Sequence, residues 1–174
     1  TNFPYVYAGG DVAQGPVLHE TQSAVHPIQP TAVDHGRVAG ANMAGQDVRY
    51  PGSLLMNVVD ICGLQGASFG RWDDASAEAI TIDNPAGFIF RKLLVRDDRI
   101  SGAIFAGRAN DLGMLTDIGM VKGLIQTGAR LGPWKKYLRD NPFDIRRAYV
   151  ASGVAAKLAG AVGGVVSAVA VTLM

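Results

Sequence analysis

Three β-rich runs, Ala79–Asp83, Phe88–Arg96 and Ile100–Ala106, follow one another with almost no connecting chain. Asn84-Pro85 interrupts the first pair and Asp97-Asp98 the second, and both dipeptides are turn signals. Strands joined by such short turns run antiparallel, because a parallel neighbour needs a crossover of about a dozen residues or more. The pattern predicts a three-stranded meander, with a fourth strand at Ala67–Arg71. Leu112–Gln126 carries Leu115, Ile118, Val121, Leu124 and Ile125 on one stripe, which predicts a helix stopped by Gly132-Pro133. A short helix, Trp134–Arg139, and an Asn141-Pro142 turn are expected next.

The first third reads differently. Phe3–Ala8 is an apolar run ending at Gly9-Gly10-Asp11, which predicts a buried strand meeting a tight turn. Gly15, Pro16, Pro27 and Pro30 mark residues 14–30 as a loop. Thr31–Ala44 then places Val33, Val38, Ala41 and Ala44 in a helical pattern, with Pro30 or Thr31 at its start and Gly45 at its end.

Composition sets the outer bounds. The 174 residues suit one domain, or one domain and part of another, and 48% hydrophobic content can fill a core. A formal net charge of +1 provides no global field for nucleic acid, so none is expected as a partner. Cys62 is the only cysteine, so neither an intrachain disulfide nor a CxxC pair can form, and Cys62 is expected to be a buried, inert thiol. The opening has no basic and apolar leader and starts at Thr1, so the chain is expected to begin at an internal point and to be cytoplasmic. The Ala/Val/Gly-rich segment Ala148–Met174 is uncharged from Leu158 onward, shorter than the ~20 residues of a membrane helix. A packed or frayed terminal helix is expected there, with a membrane span or a partner helix as alternatives.

Gly9-Gly10-Asp11 carries the most chemistry. Small residues at a strand end let a ligand backbone approach, and an aspartate there can accept hydrogen bonds from sugar-type hydroxyls. The same residues would also suit a plain capped turn. The extended pattern, Thr1 through Val6-Tyr7-Ala8-Gly9-Gly10-Asp11-Val12-Ala13, resembles the second flavin-binding motif of the FAD-dependent pyridine-nucleotide oxidoreductases. Gln29-Pro30-Thr31-Ala32 through Gly36-Arg37 to Gly45 resembles the helix that follows the motif in that family. Tyr50-Pro51-Gly52 onward and the meander with Gly102-Ala103-Ile104-Phe105 are similar to its C-terminal interface domain, in the nitrite-reductase, rubredoxin-reductase and NADH-oxidase branch.

The resemblance implies an α+β chain: the C-terminal portion of an α/β FAD-binding fold over 1–48, a small antiparallel sheet with flanking helices in an interface domain over 49–147, and the apolar tail over 148–174. It implies that Gly10 and Asp11 meet the ribityl chain of FAD. It also implies that Pro30, Thr31 and Ala32 aim a helix N-terminus at the flavin, where free N–H groups favour negative charge. No GxGxxG follows a strand here, so the ADP half of FAD and all of NAD(P)H would be bound by segments outside this chain. The rest of such an enzyme is the expected partner, together with a second copy of the chain. The rival expectation is a non-catalytic α+β dimerisation or partner-binding module without FAD.

No catalytic acid, base or metal set is expected. His26-Pro27 lacks the downstream glutamate of the thiol-disulfide members of the family, and His19, Glu20, His26 and His35 match no metal spacing, so a solvated loop is expected instead. Trp72 with Asp73-Asp74 reads as a surface turn. Trp134-Lys135-Lys136-Tyr137 and Arg146-Arg147 read as a solvated face, or as a docking patch for an acidic redox carrier.

Overall fold

The structure is a computed structural model, and residues 1–159 are described. The chain forms two compact units that divide between Asn57 and Val58. The class is mixed α+β, as expected.

In the first unit a single 3-10 turn, Gly10–Val12, precedes β1 (Gln14–Pro16) and β2 (Ser23–Val25). These two short strands pair antiparallel, with Gln14 opposite Val25, where the sequence suggested only loop. Helix α1 (Gln29–Met43) follows, entered through extended Ile28 with Pro30 in its first turn. Proline suits that position because its missing N–H would have no helical partner. Gly45, with φ +86°, leaves the helix in the left-handed region as expected. The segment Phe3–Ala8 departs from expectation. It is no strand, Tyr5 is 93% exposed, and Phe3, Val6 and Tyr7 also face solvent. An apolar strand is stable only between neighbours that take up its N–H and C=O groups, and no strand lies beside it among the described residues.

The second unit is built on a five-stranded antiparallel sheet in the order β3-β4-β7-β6-β5. Its strands are β3 (Met56–Ile61), β4 (Leu64–Gly70), β5 (Glu78–Asn84), β6 (Ile89–Arg96) and β7 (Arg99–Arg108). The β5-β6-β7 meander stands as read from the sequence, and the fourth strand lies beside β7. Asp97 and Asp98 both have positive φ, 48° and 64°, and close the β6–β7 hairpin in two residues. Cys62 and Gly63 close the β3–β4 hairpin in the same way, with φ 52° and 79°. Cys62 is therefore exposed, which corrects the expectation of a buried thiol. Its apolar neighbours belong to an edge strand that itself faces water, with Val58, Val59 and Ile61 about half exposed.

Helices α2 (Leu112–Gln126), α3 (Trp134–Asp140) and α4 (Ile145–Ala151) complete the unit. The carboxylate of Asp111 caps α2 by accepting the Met114 N–H at 3.0 Å. Helix α2 buries Met114, Asp117, Val121, Leu124 and Ile125, and Leu115 of the expected stripe points outward. The helix ends at Thr127, ahead of Gly128 with φ +56°; Gly132-Pro133 instead opens onto α3. Ile145, Ala148 and Val154 are fully buried, so the segment taken as a tail from residue 148 begins as packed helix. Residues 160–174, which hold most of the apolar tail, lie outside the described residues. No helix among the described residues is long and apolar enough to cross a membrane.

The chain leaving β4 passes close to β7 at Gly102. A Cβ there would lie 2.5 Å from the Arg71 carbonyl atoms and 2.7 Å from the Trp72 nitrogen. Backbone cannot swing aside as a side chain can, so Gly102→Ala is expected to destabilise the second unit by about 3 kcal/mol. Urea unfolding of the variant checks this; an unchanged midpoint would contradict the close approach.

Candidate functional site

The turn at Gly9-Gly10-Asp11 packs on the first half of α1. Gly10 has φ +78°, a conformation that favours glycine, and a Cβ on it would stand 3.7 Å from the Ala32 Cβ. A Cβ on Gly9 would come within 3.1 Å of the His35 Cβ. The Gly10 N–H donates to His35 Nδ1 at 3.2 Å. The turn and the helix are thus joined by a side-chain bond as well as by close packing. The Asp11 side chain stands in solvent at the head of this junction, with no hydrogen bond or ion pair among the described residues.

The helix end is arranged around a second histidine. Thr31 is buried, and its hydroxyl meets His26 Nδ1 at 3.0 Å. The Met56 N–H reaches the other ring nitrogen, Nε2, at 3.1 Å. The Met56 carbonyl lies as close to Nε2, at 3.0 Å, so the ring is held between the Thr31 hydroxyl and the Met56 main chain. The Ala32 N–H already donates to the Ile28 carbonyl at 3.1 Å, so the helix uses it internally. Gln29 and Thr31 keep amides with no backbone acceptor among the described residues, and Pro30 has none to offer. Of the expected helix-end residues, Thr31 has a main-chain amide with no backbone acceptor among the described residues, whereas the Ala32 amide has one.

The structure therefore brings Gly10 against Ala32, with Asp11 next to Gly10 in the chain and Thr31 in the same helical turn as Ala32. Pro30 is exposed one residue before Thr31. What the sequence did not signal is the support beneath them. His26 and His35 are buried ring partners, not members of a solvated loop. His35 stacks edge-on against Tyr50, with ring centroids 4.6 Å apart, and the Tyr50 hydroxyl lies 2.8 Å from the Ser53 hydroxyl. Burial pushes the Tyr50 phenol above its ordinary range. Ser53 is tied to β1, its N–H donating to the Pro16 carbonyl at 2.9 Å. No spacing rule connects residues 10, 35, 50 and 53, so only the fold could reveal them. No cluster of His, Cys, Asp and Glu among the described residues can hold a metal ion.

The second unit has a cleft of about 720 Å³ bounded by Arg91, Thr116, Asp117, Met120, Phe143 and Arg146, among others. At its floor Arg91 is 7% exposed and ion-paired with Asp117, and its guanidinium lies 5.0 Å from the Phe143 ring centroid. Burial pushes the Asp117 carboxyl up, against the pull of the Arg91 charge. This pair belongs to the packing of α2 on the sheet. In the basic, aromatic surface read from the sequence, Lys135 pairs with Glu78, which also takes Arg139 from outside that surface, and Arg147 pairs with Asp144.

No family model matches the sequence. Among curated proteins, the chain is 23% identical over 113 residues to the nitrite reductase (NAD(P)H) of Bacillus subtilis (strain 168), covering 64% of this chain and 13% of that protein. Among solved structures it resembles an FAD-dependent pyridine nucleotide-disulphide oxidoreductase from Desulfovibrio vulgaris, with a TM-score of 0.61 and 21% identity over 86% of this chain and 38% of that one. It also resembles an NAD-dependent persulfide reductase from A. fulgidus, with a TM-score of 0.60 and 24% identity over 73% of this chain and 26% of that one. A third likeness is to the reduced CoADR-RHD of Bacillus anthracis, with a TM-score of 0.56 and 21% identity over 70% and 25%. The chain thus spans well under half the length of each of these proteins.

Proposed function

The chain has the fold of part of an FAD-dependent pyridine nucleotide-disulphide oxidoreductase and is distantly related to nitrite reductase, and from that premise we propose that it is part of a flavin-dependent NAD(P)H oxidoreductase and supplies one wall of the FAD site. The observation that carries this reading is the docking of the Gly10-Asp11 turn on the first half of α1. An exposed carboxylate, a glycine without a side chain and the unpaired amide of Thr31 suit a ligand with hydroxyls at one end and a polarisable ring at the other. Asp11 accepts from a ribityl hydroxyl, and a charge-assisted bond of that kind is strong. The helix end offers its N–H groups and positive dipole to the flavin pyrimidine, which favours negative charge there when the flavin is reduced. Bound FAD supplies the hydride chemistry, from NAD(P)H to an acceptor, and the protein supplies position and electrostatics.

The rest of the FAD site and the NAD(P)H site are assigned to other segments of such an enzyme, because no dinucleotide fingerprint is present here. The sheet supports the partner reading. Val59 lies against Gly66, and Phe90 and Ile104 are only partly covered on the sheet face opposite Phe105 and Leu93. A sheet with helices on one face needs cover for the other, and a second subunit is the occupant we assign to it. The same apolar surface would serve a dimerisation module without flavin, and FAD binding separates the two readings. Titrated with FAD, the 174-residue chain alone is expected to change flavin fluorescence little. The complete flavoprotein is expected to purify yellow, absorbing near ~450 nm. A complete protein that is folded, colourless and unable to take up FAD would favour the module.

A further inference from the structure

We propose that His35 is a positioning residue that fixes the Gly9-Gly10-Asp11 turn, and through it the Asp11 carboxylate, on helix α1. This rests on the FAD reading above. The Gly10 N–H donates to Nδ1 at 3.2 Å, so Nδ1 is unprotonated and the ring proton is on Nε2. The ring is held on several sides. Gly9 leaves only enough room for the His35 Cβ, at 3.1 Å from where its own Cβ would be. A Cβ on Gly15 would meet Nε2 at 3.3 Å, and Tyr50 closes the other side edge-on. Tyr50 is itself tied through Ser53 to β1, on the far side of the same turn. The imidazole is therefore wedged between the two ends of the segment 9–15 that carries Asp11. A side chain needed only to fill that space would not require an acceptor at the Nδ1 position. The Gly10 amide does require one, because a partly buried N–H without a partner loses its compensation for lost water.

Two substitutions separate filling from positioning. His35→Leu fills the space and removes the acceptor. His35→Asn is smaller but places a carbonyl oxygen near the Nδ1 position, so it restores the acceptor without the ring. In the 15N-labelled chain, the Gly10 amide is expected to shift and to exchange faster in His35→Leu, and to stay near its original position in His35→Asn. In the complete flavoprotein, His35→Leu is expected to weaken FAD about tenfold, the effect of one lost hydrogen bond, and His35→Asn to recover most of that loss. Several results would overturn the proposal. One is a Gly10 resonance that ignores His35→Leu. Another is a folded His35→Asn variant that binds FAD as poorly as His35→Leu. A third is full FAD affinity in His35→Leu when Asp11→Ala has lost it. If neither Asp11→Ala nor His35→Leu affects FAD, the FAD reading itself fails, and this role fails with it.

Discussion

Replacing Asp117 by alanine is expected to destabilise the second unit by about 3–5 kcal/mol, more than any apolar truncation of similar size nearby. The reason lies in Arg91. It stands in the middle of β6, opposite Phe105 of β7, with its side chain 7% exposed on the face that α2 covers. Asp117 reaches down from α2 to pair with it, and Asp111 adds a looser contact at 3.9 Å while also capping the helix. Removing the carboxylate leaves a buried guanidinium with only that distant charge and the face of the Phe143 ring, and its Nε already lacks a hydrogen-bond acceptor. A buried pair adds little over a well-packed apolar pair, but breaking it from one side exposes the full cost of the orphaned charge. Arg91→Met combined with Asp117→Leu is therefore expected to be far more stable than Asp117→Ala alone. Urea denaturation of the three proteins checks the comparison. A midpoint for Asp117→Ala close to that of the unmodified chain would show that the pair does not hold α2 to the sheet.

That pair also shows where the sequence was silent. The meander and α2 were legible because their turns are written in Asn84-Pro85 and Asp97-Asp98 and their apolar residues recur at strand and helix spacing. A charge inside such a run looks like a solvent-facing residue until its partner is found 26 positions away. Strand β3 escaped because all but its first residue are exposed, so nothing alternates. Cys62 was misplaced by its apolar neighbours, since a type of turn needing positive φ at both residues is rarely signalled by cysteine. Phe3–Ala8 failed in the opposite way: its composition is that of a buried strand, but composition cannot supply the flanking strands that would make it one. In the candidate site the glycines, Asp11 and the helix start were readable as a motif. His26, His35, Tyr50 and Ser53 were not, because their roles depend on contacts between positions far apart in sequence.

Asp11→Ala in the complete flavoprotein is expected to lower FAD affinity about ten- to a hundredfold while leaving the fold intact. The Asp11 side chain is exposed and makes no bond among the described residues that the fold would lose. Its value lies in what it can accept from a ligand. A hydrogen bond from a hydroxyl to a carboxylate contributes roughly 1.5–3 kcal/mol, which converts to that range of affinity. Asp11→Asn keeps one acceptor oxygen without the charge and is expected to fall between the two. The measurement is the ratio of bound flavin to protein, read by absorbance after purification, together with the FAD dissociation constant of the stripped protein. Reduced occupancy and weaker binding in Asp11→Ala, at an unchanged unfolding midpoint, is the result predicted if this turn forms a wall of the FAD site. Full flavin content and unchanged affinity in the variant would contradict it.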